Sequence, residues 1–295
     1  MSDIFRGIFP ALATPMTASE EIDYQRLTEL VDWLITTGGV QGVIPLGSTG
    51  EFYALKAEER QNVTRATIDA AAGRVPVLVG ANASSTSDVV DYAVQAEAAG
   101  ADGLLLAAPY YSLPTDEELV EHFRVVDAAV GIPIMLYNYP GRTGVDLTPE
   151  LIERLAELPN VQYVKESTGD AARVSEIIRR LGDRMHVFCG CDTLSIDSFL
   201  LGAVGWVGGI ANLLPKEHVA LYQAAACDKD VDRAREIFYR LLPILSLIEG
   251  GGKYTQFVKA GCSLVGQDAG PPRRPLQQAS AAEISRLESL ISELQ

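Results

Sequence analysis

The stretch VQYVKESTGDAARVSEIIRRL, residues 161–181, decides the fold. Three of its first five residues, Val161, Tyr163 and Val164, are apolar, and the run ends on Lys165. So short an apolar run fits a parallel strand covered on both faces. Polar residues 166–170 form a loop, and 171–181 carry the amphipathic spacing of a helix, with Gly182 placed to stop it. The stretch is therefore one strand–loop–helix unit.

The same unit recurs along the chain. Apolar runs lie at 7–13, 40–46, 75–80, 103–107, 133–137, 161–165, 186–190 and 203–207. Helical patterns lie between them at 23–37, 57–72, 86–99, 115–129, 148–158 and 171–181. Thr115 precedes Asp116 and Glu117, and Thr148 precedes Pro149 and Glu150; both read as N-caps with acids in the first turn. Gly73, Gly100 and Gly182 stand where helices should end. Eight such units in about 225 residues is the count for a (β/α)8 TIM barrel. An open, doubly wound α/β sheet shares the alternation and is the second choice. From about Lys216 onward no strand pattern remains, and Pro271, Pro272 and Pro275 break the helical signal. The expected division is a catalytic barrel over 1–225 and a C-terminal helical extension over 226–295.

At 295 residues and 47% hydrophobic, the chain can bury a large core. A formal net charge of -15 disfavours nucleic acid and anionic membranes, which need a basic face. Neither a signal peptide nor an apolar run long enough to cross a membrane is found, so a cytoplasmic protein is expected. Cys189 and Cys191 have one residue between them, which is not a zinc or redox spacing, and Cys227 and Cys262 stand apart; all four read as reduced thiols. The three histidines, His122, His186 and His218, are scattered, and the pair Glu118/His122 at helical spacing suits a solvated surface. No metal is expected. Gly250-Gly251-Gly252-Lys253 lacks the hydroxyl residue and upstream glycine of a phosphate-cradling loop, and Gly205, Gly208 and Gly209 form no dinucleotide fingerprint, so no cofactor is expected either.

In a barrel, chemistry sits where strands end. Those ends carry Gly47-Ser48-Thr49-Gly50-Glu51, Tyr110-Tyr111, Tyr137 with the loop to Thr143, Lys165, Gly190-Cys191-Asp192 and Gly208-Gly209. A lysine at a desolvated barrel mouth loses its proton more easily and can attack a ketone as the neutral amine. The same position also suits a lysine that snorkels to solvent. Tyr137 can pass protons to and from the carbinolamine, or be a core tyrosine with a satisfied hydroxyl. Ser48 and Thr49, in a glycine-flanked turn, can hold a carboxylate with hydroxyls and backbone N–H groups, or simply form a polar loop. Leu46 stands where a nucleophile elbow has its first glycine, which argues against a serine hydrolase. Arg142 can pair bidentately with a carboxylate or lie free on the surface.

Taken together, GIFPALATP (7–15), GSTGE (47–51), YNYPGRTG (137–144) and VKESTGD (164–170) resemble the dihydrodipicolinate synthase / N-acetylneuraminate lyase superfamily, from Gly7 to Lys259. The resemblance implies a Schiff-base-forming lyase acting on pyruvate. Lys165 matches the imine-forming lysine and Tyr137 the proton relay. Thr49 matches the threonine joining Tyr137 to a second tyrosine, matched by Tyr111, which in the family reaches across from a neighbouring subunit. Ser48 and Thr49 match the pair that binds the pyruvate carboxylate, with Gly190 and Ile210 completing the substrate-binding set. Arg142 matches the arginine that the synthases use for the carboxylate of aspartate semialdehyde. A homotetramer built as a dimer of dimers follows from the same likeness.

Two departures sharpen the expectation. Thr193 stands where the sialic-acid lyases carry a polyol-binding glutamate, and those lyases lack an arginine at the position of Arg142; both weigh against sialic acid. Ala57 and Arg60 stand where lysine-inhibited synthases carry histidines, so lysine feedback is expected to be absent. The favoured function is a 4-hydroxy-tetrahydrodipicolinate synthase-like condensation of pyruvate with an aldehyde bearing a carboxylate. Bulky Phe52-Tyr53 keeps open a catabolic aldolase or dehydratase of a 2-keto-3-deoxy sugar acid or related 2-keto acid. A non-catalytic keto-acid-binding homologue is the alternative of another class, opposed by the intact Lys165, Tyr137, Thr49 and Tyr111.

Overall fold

The computed structural model describes residues 5–294. Seven strands form one all-parallel sheet: β1 (Gly7–Ile8), β2 (Leu78–Gly80), β3 (Gly103–Ala107), β4 (Ile134–Asn138), β5 (Val161–Glu166), β6 (His186–Cys189) and β7 (Gly205–Trp206), in the order β1-β7-β6-β5-β4-β3-β2. Each neighbouring pair is parallel, and helices fill most of the crossovers.

The run at 40–46 does not form the regular strand expected of it. It pairs through single parallel bridges, Ile44 with Ala11 and Val43 with Val77. Backbone bonds from Ile44 N–H to Pro10 O, and from Leu78 N–H to Val43 O, tie the run toward both edges of the sheet. Pro10 and Pro45 supply no N–H to the ladder, which keeps the pairing from running on. The sheet is thereby curled.

Side chains alternate between two cores. Phe9, Leu105, Met135, Tyr137, Tyr163 and Phe188 pack together on one side of the sheet. Leu104, Leu106, Leu136 and Val164 face the other side and pack with the helices. The helices start as their sequences direct. Thr115 Oγ1 accepts from Glu118 N–H and Thr148 Oγ1 from Leu151 N–H. Gly73, Gly100 and Gly182 take positive φ at helix ends.

After β7 the chain is helical, including Pro215–Tyr222, Val231–Gly250, Tyr254–Leu264 and Ala281–Leu294. No helix among the described residues is long and apolar enough to cross a membrane. A buried ion pair fastens this helical part to the turn after residue 46. Glu51 is 0% and Lys259 1% exposed, with Nζ 2.6 Å from Oε1. Glu51 Oε2 accepts Arg273 N–H at 2.7 Å, and the Arg273 guanidinium binds Glu59 and the carbonyls of Glu20 and Ala54. Glu51 holds φ 58, a conformation costly for a residue with a side chain, so the surrounding contacts have to enforce it.

Candidate active site

Six of the expected residues line one small chamber at the carboxyl ends of the strands: Ser48, Thr49, Tyr137, Arg142, Lys165 and Gly190. A second chamber of about 210 Å³ shares Ser48, Tyr137, Tyr139 and Arg142 with it and is walled by Phe52, Tyr53 and Tyr110.

Lys165 and Tyr137 are register partners on β5 and β4. Paired positions of a parallel ladder project to the same face, so the two side chains meet. Lys165 is 6% exposed, and its Nζ lies 4.1 Å from the centroid of the Tyr137 ring. The reading of a lysine snorkelling to solvent is thereby set aside. Gly190 makes room for this lysine: a Cβ there would stand 1.9 Å from Ser167 Oγ and 2.8 Å from Lys165 Cγ.

The turn at 47–50 presents Ser48 half-buried and Thr49 buried. Thr14 Oγ1 donates to Gly50 O at 2.7 Å and holds the turn from behind. Gly209 lies opposite, where a Cβ would meet Thr49 Oγ1 at 2.8 Å and the Tyr254 ring at 2.6 Å.

Arg142 sits exposed on the short helix Pro140–Thr143. Asn138, at the end of β4, fixes the loop that follows this helix. Its Nδ2 shares its two protons among Asp146 Oδ1, Leu147 O and Glu166 Oε2, all within hydrogen-bonding distance, and its Oδ1 accepts Leu147 N–H. Arg173 closes the arrangement on Asp146 at 2.5 Å.

Two expected residues lie elsewhere. Tyr111 is 96% exposed with φ 79 and does not line the chamber of its own chain. Ile210 is fully buried in the core, its backbone next to Gly209. Among the doubtful candidates, Glu118 turns back to cap Thr115, and His122 Nδ1 meets Thr86 Oγ1 at 2.9 Å. Burial pushes His122 down to about 4. No group of three or more His, Cys, Asp or Glu among the described residues is placed to hold a metal ion.

Sequence reasoning missed Glu249, Tyr254 and Thr255, which line the Lys165 chamber from the helical part. Glu249 Oε1 accepts Asp192 N–H at 2.9 Å; its Oε2 accepts Thr193 N–H at 2.8 Å and the Thr193 hydroxyl at 2.6 Å. Thr193 therefore does not leave the chamber without an acid: a carboxylate is delivered onto it from another element. Asp192, 1% exposed, accepts from Trp206 Nε1 at 3.0 Å and from the Tyr254 hydroxyl at 2.5 Å, while Tyr254 Oη accepts Gly209 N–H. Burial, reinforced by the Glu249 charge, pushes the Asp192 carboxyl up to about 7, and the Lys165 charge partly offsets the rise. One signal was available. Glu249 is an acid in the last turn of helix Val231–Gly250, where the helix dipole disfavours negative charge.

A buried lysine beside a phenol, both standing where parallel strands end, defines an enzyme of the class I aldolase type, a lyase. A family model described as the dihydrodipicolinate synthetase family matches residues 4–294. The 4-hydroxy-tetrahydrodipicolinate synthase of Halorhodospira halophila is 43% identical over 245 residues, 82% of this chain and 81% of that one. The dihydrodipicolinate synthase of Aquifex aeolicus superposes with a TM-score of 0.92 at 35% identity over 98% of both chains. The chloride-inhibited dihydrodipicolinate synthase of Acinetobacter baumannii, solved with pyruvate, gives a TM-score of 0.92 at 32% identity over 98% of both chains. The chain belongs to the dihydrodipicolinate synthetase family.

Proposed function

We propose that the chain condenses pyruvate with an aldehyde bearing a carboxylate, in the manner of a 4-hydroxy-tetrahydrodipicolinate synthase. The observation that carries this reading is the Lys165 amine, sequestered against the Tyr137 ring in the chamber that Ser48, Thr49 and Arg142 also line. The neutral amine attacks C2 of pyruvate, and Tyr137 passes the proton that lets hydroxide leave as water. The resulting iminium loses a proton from its methyl carbon. The enamine so formed attacks the aldehyde carbon, the new alkoxide is protonated, and attack of water or of an amine of the product on the regenerated iminium carbon expels Lys165 as the free amine. Ser48 and Thr49 hold the pyruvate carboxylate; Arg142 at the mouth takes that of the aldehyde. The A. baumannii relative binds pyruvate, and the likeness in fold supports the same ligand here.

The same reading takes the curled sheet as a closed (β/α)8 barrel over residues 1–225, with 40–46 as its remaining strand and 226–295 as a helical extension. It places the enzyme in the cytoplasm as a homotetramer, in which exposed Tyr111 enters a neighbour's chamber and joins Thr49 and Tyr137. Lysine feedback is read as absent because the guanidinium of Arg60, buried, donating to Gly80 O and Asn82 O and stacked 3.7 Å over Tyr92, stands where the inhibited synthases carry a histidine.

Borohydride reduction in the presence of pyruvate tests the reading. A covalent adduct on Lys165, absent from Lys165→Ala, is expected. No adduct, or one that survives Lys165→Ala, refutes it; pyruvate binding without turnover across a panel of aldehydes points to a sensor instead.

A further inference from the structure

The chamber holds one charged group for which the imine chemistry has no use. Glu249 is brought there by the end of helix Val231–Gly250, against the helix dipole and next to another buried carboxyl, Asp192. Neither placement stabilises an anion. What holds it are three donors behind it: Asp192 N–H, Thr193 N–H and the Thr193 hydroxyl. An ionised carboxylate has about four lone-pair sites. Two of these bonds fall on Oε2 and one on Oε1, so an acceptor site remains on Oε1 of a carboxylate that lines the chamber. Asp192 presents no acceptor to the chamber, because it is 1% exposed, lies behind Tyr254 and Trp206, which donate to it, and is not part of the lining.

On the pyruvate-imine reading, we propose that Glu249 selects the second substrate. Besides the carboxylate taken by Arg142, the aldehyde carries a hydrogen-bond donor, an ammonium or a hydroxyl group, that pairs with the open oxygen of Glu249. A chamber with a cation at the mouth and an anchored anion on its wall matches a substrate that presents both a carboxylate and a donor. An aldehyde lacking the donor would strip water from Glu249 and give nothing back. Leaving a charged acceptor unpaired is penalised when it is buried. Glu249 is only half-buried, so the penalty is modest, a selectivity of about tenfold, equivalent to about 1.4 kcal/mol.

The experiment measures kcat/KM, with pyruvate saturating, for three aldehydes of equal length: L-aspartate semialdehyde, its 2-hydroxy analogue, and succinate semialdehyde, which has neither group. The first two are expected to exceed the third by about tenfold or more, mainly through KM. In Glu249→Gln the preference should fall below about threefold, the ammonium substrate losing more than the hydroxyl one. Which of the first two leads in the wild type identifies the donor. Equal wild-type values for all three aldehydes, or a preference that survives Glu249→Gln, overturns the proposal. If Glu249→Gln does not fold, Glu249→Asp, which retracts the charge by one methylene, is read by the same criterion. Borohydride trapping of wild type with pyruvate alone separates the two readings: an adduct without aldehyde selectivity sinks only the role of Glu249.

Discussion

Replacing Lys259 with methionine should cost far more than a single ion pair at the surface. The side chain is 1% exposed and its Nζ contacts Glu51, itself 0% exposed, at 2.6 Å. Burial pushes the ammonium down from its ordinary range and the Glu51 charge works against that push, so each charge depends on the other. Methionine keeps the length of the stem and abandons the Glu51 carboxylate in the interior; the Pro271 carbonyl also loses the Nζ donor. Removing one partner of a buried pair costs about 3–5 kcal/mol. With about 2.1 cal/mol/K per residue, the unfolding entropy of 295 residues is about 0.6 kcal/mol/K, so the midpoint should fall by about 5–8 °C. Differential scanning calorimetry measures this directly. Pairing Lys259→Met with Glu51→Gln, which removes the abandoned charge, should recover a large part of the loss. The Ser48–Thr49 turn rides on Glu51, so KM for pyruvate should rise in the single variant and fall back in the double. An unchanged midpoint in Lys259→Met, or a double variant no better than the single, would refute the claim that this pair holds the turn.

Two further predictions concern protonation and assembly. Asp192 is pushed up to about 7 from 3.8, so the folded state binds a proton that the unfolded chain releases earlier. Its contribution is therefore greatest below about pH 4 and is lost as pH rises to about 7; chemical denaturation across that window should show a falling wild-type stability relative to Asp192→Asn, and parallel curves would contradict the assignment. If Tyr111 acts in a neighbouring chamber, Tyr111→Phe and Lys165→Ala, each nearly inactive alone, should regain activity when unfolded and refolded together, because mixed assemblies contain chambers with both wild-type residues. No recovery in demonstrably mixed assemblies would place Tyr111 outside the reaction.

The parts legible in the sequence are those whose signal is local. Residues 103–107 and 171–181 were readable to the residue, because apolar continuity and helical spacing belong to the segment itself. So were the caps at Thr115 and Thr148, and the gathering of Ser48, Thr49, Tyr137, Arg142, Lys165 and Gly190, each at the end of an apolar run or in the loop that follows it. The run at 40–46 is as apolar as any strand, yet its pairing is broken by prolines in it and in its partner. Glu249, Tyr254 and Thr255 were hidden for a different reason. They come from helices whose packing against the strand ends is settled by tertiary contacts between residues such as Asp192 and Glu249, 57 positions apart. Thr193 shows the cost of reading one position alone: its own side chain is no acid, but the carboxylate it holds is.

The pairing of Tyr137 with Lys165 across β4 and β5 has a consequence for how such an enzyme can change. Nucleophile and phenol are spaced by a ladder of backbone bonds that runs on through Asn138 and Glu166, while Arg142 and Glu249 are carried by a short surface helix and a helix terminus. Altering the latter leaves the former in step. Evolution can thus retune which partner is admitted without touching the reacting pair, and directed evolution toward new aldehydes should begin at those outer positions.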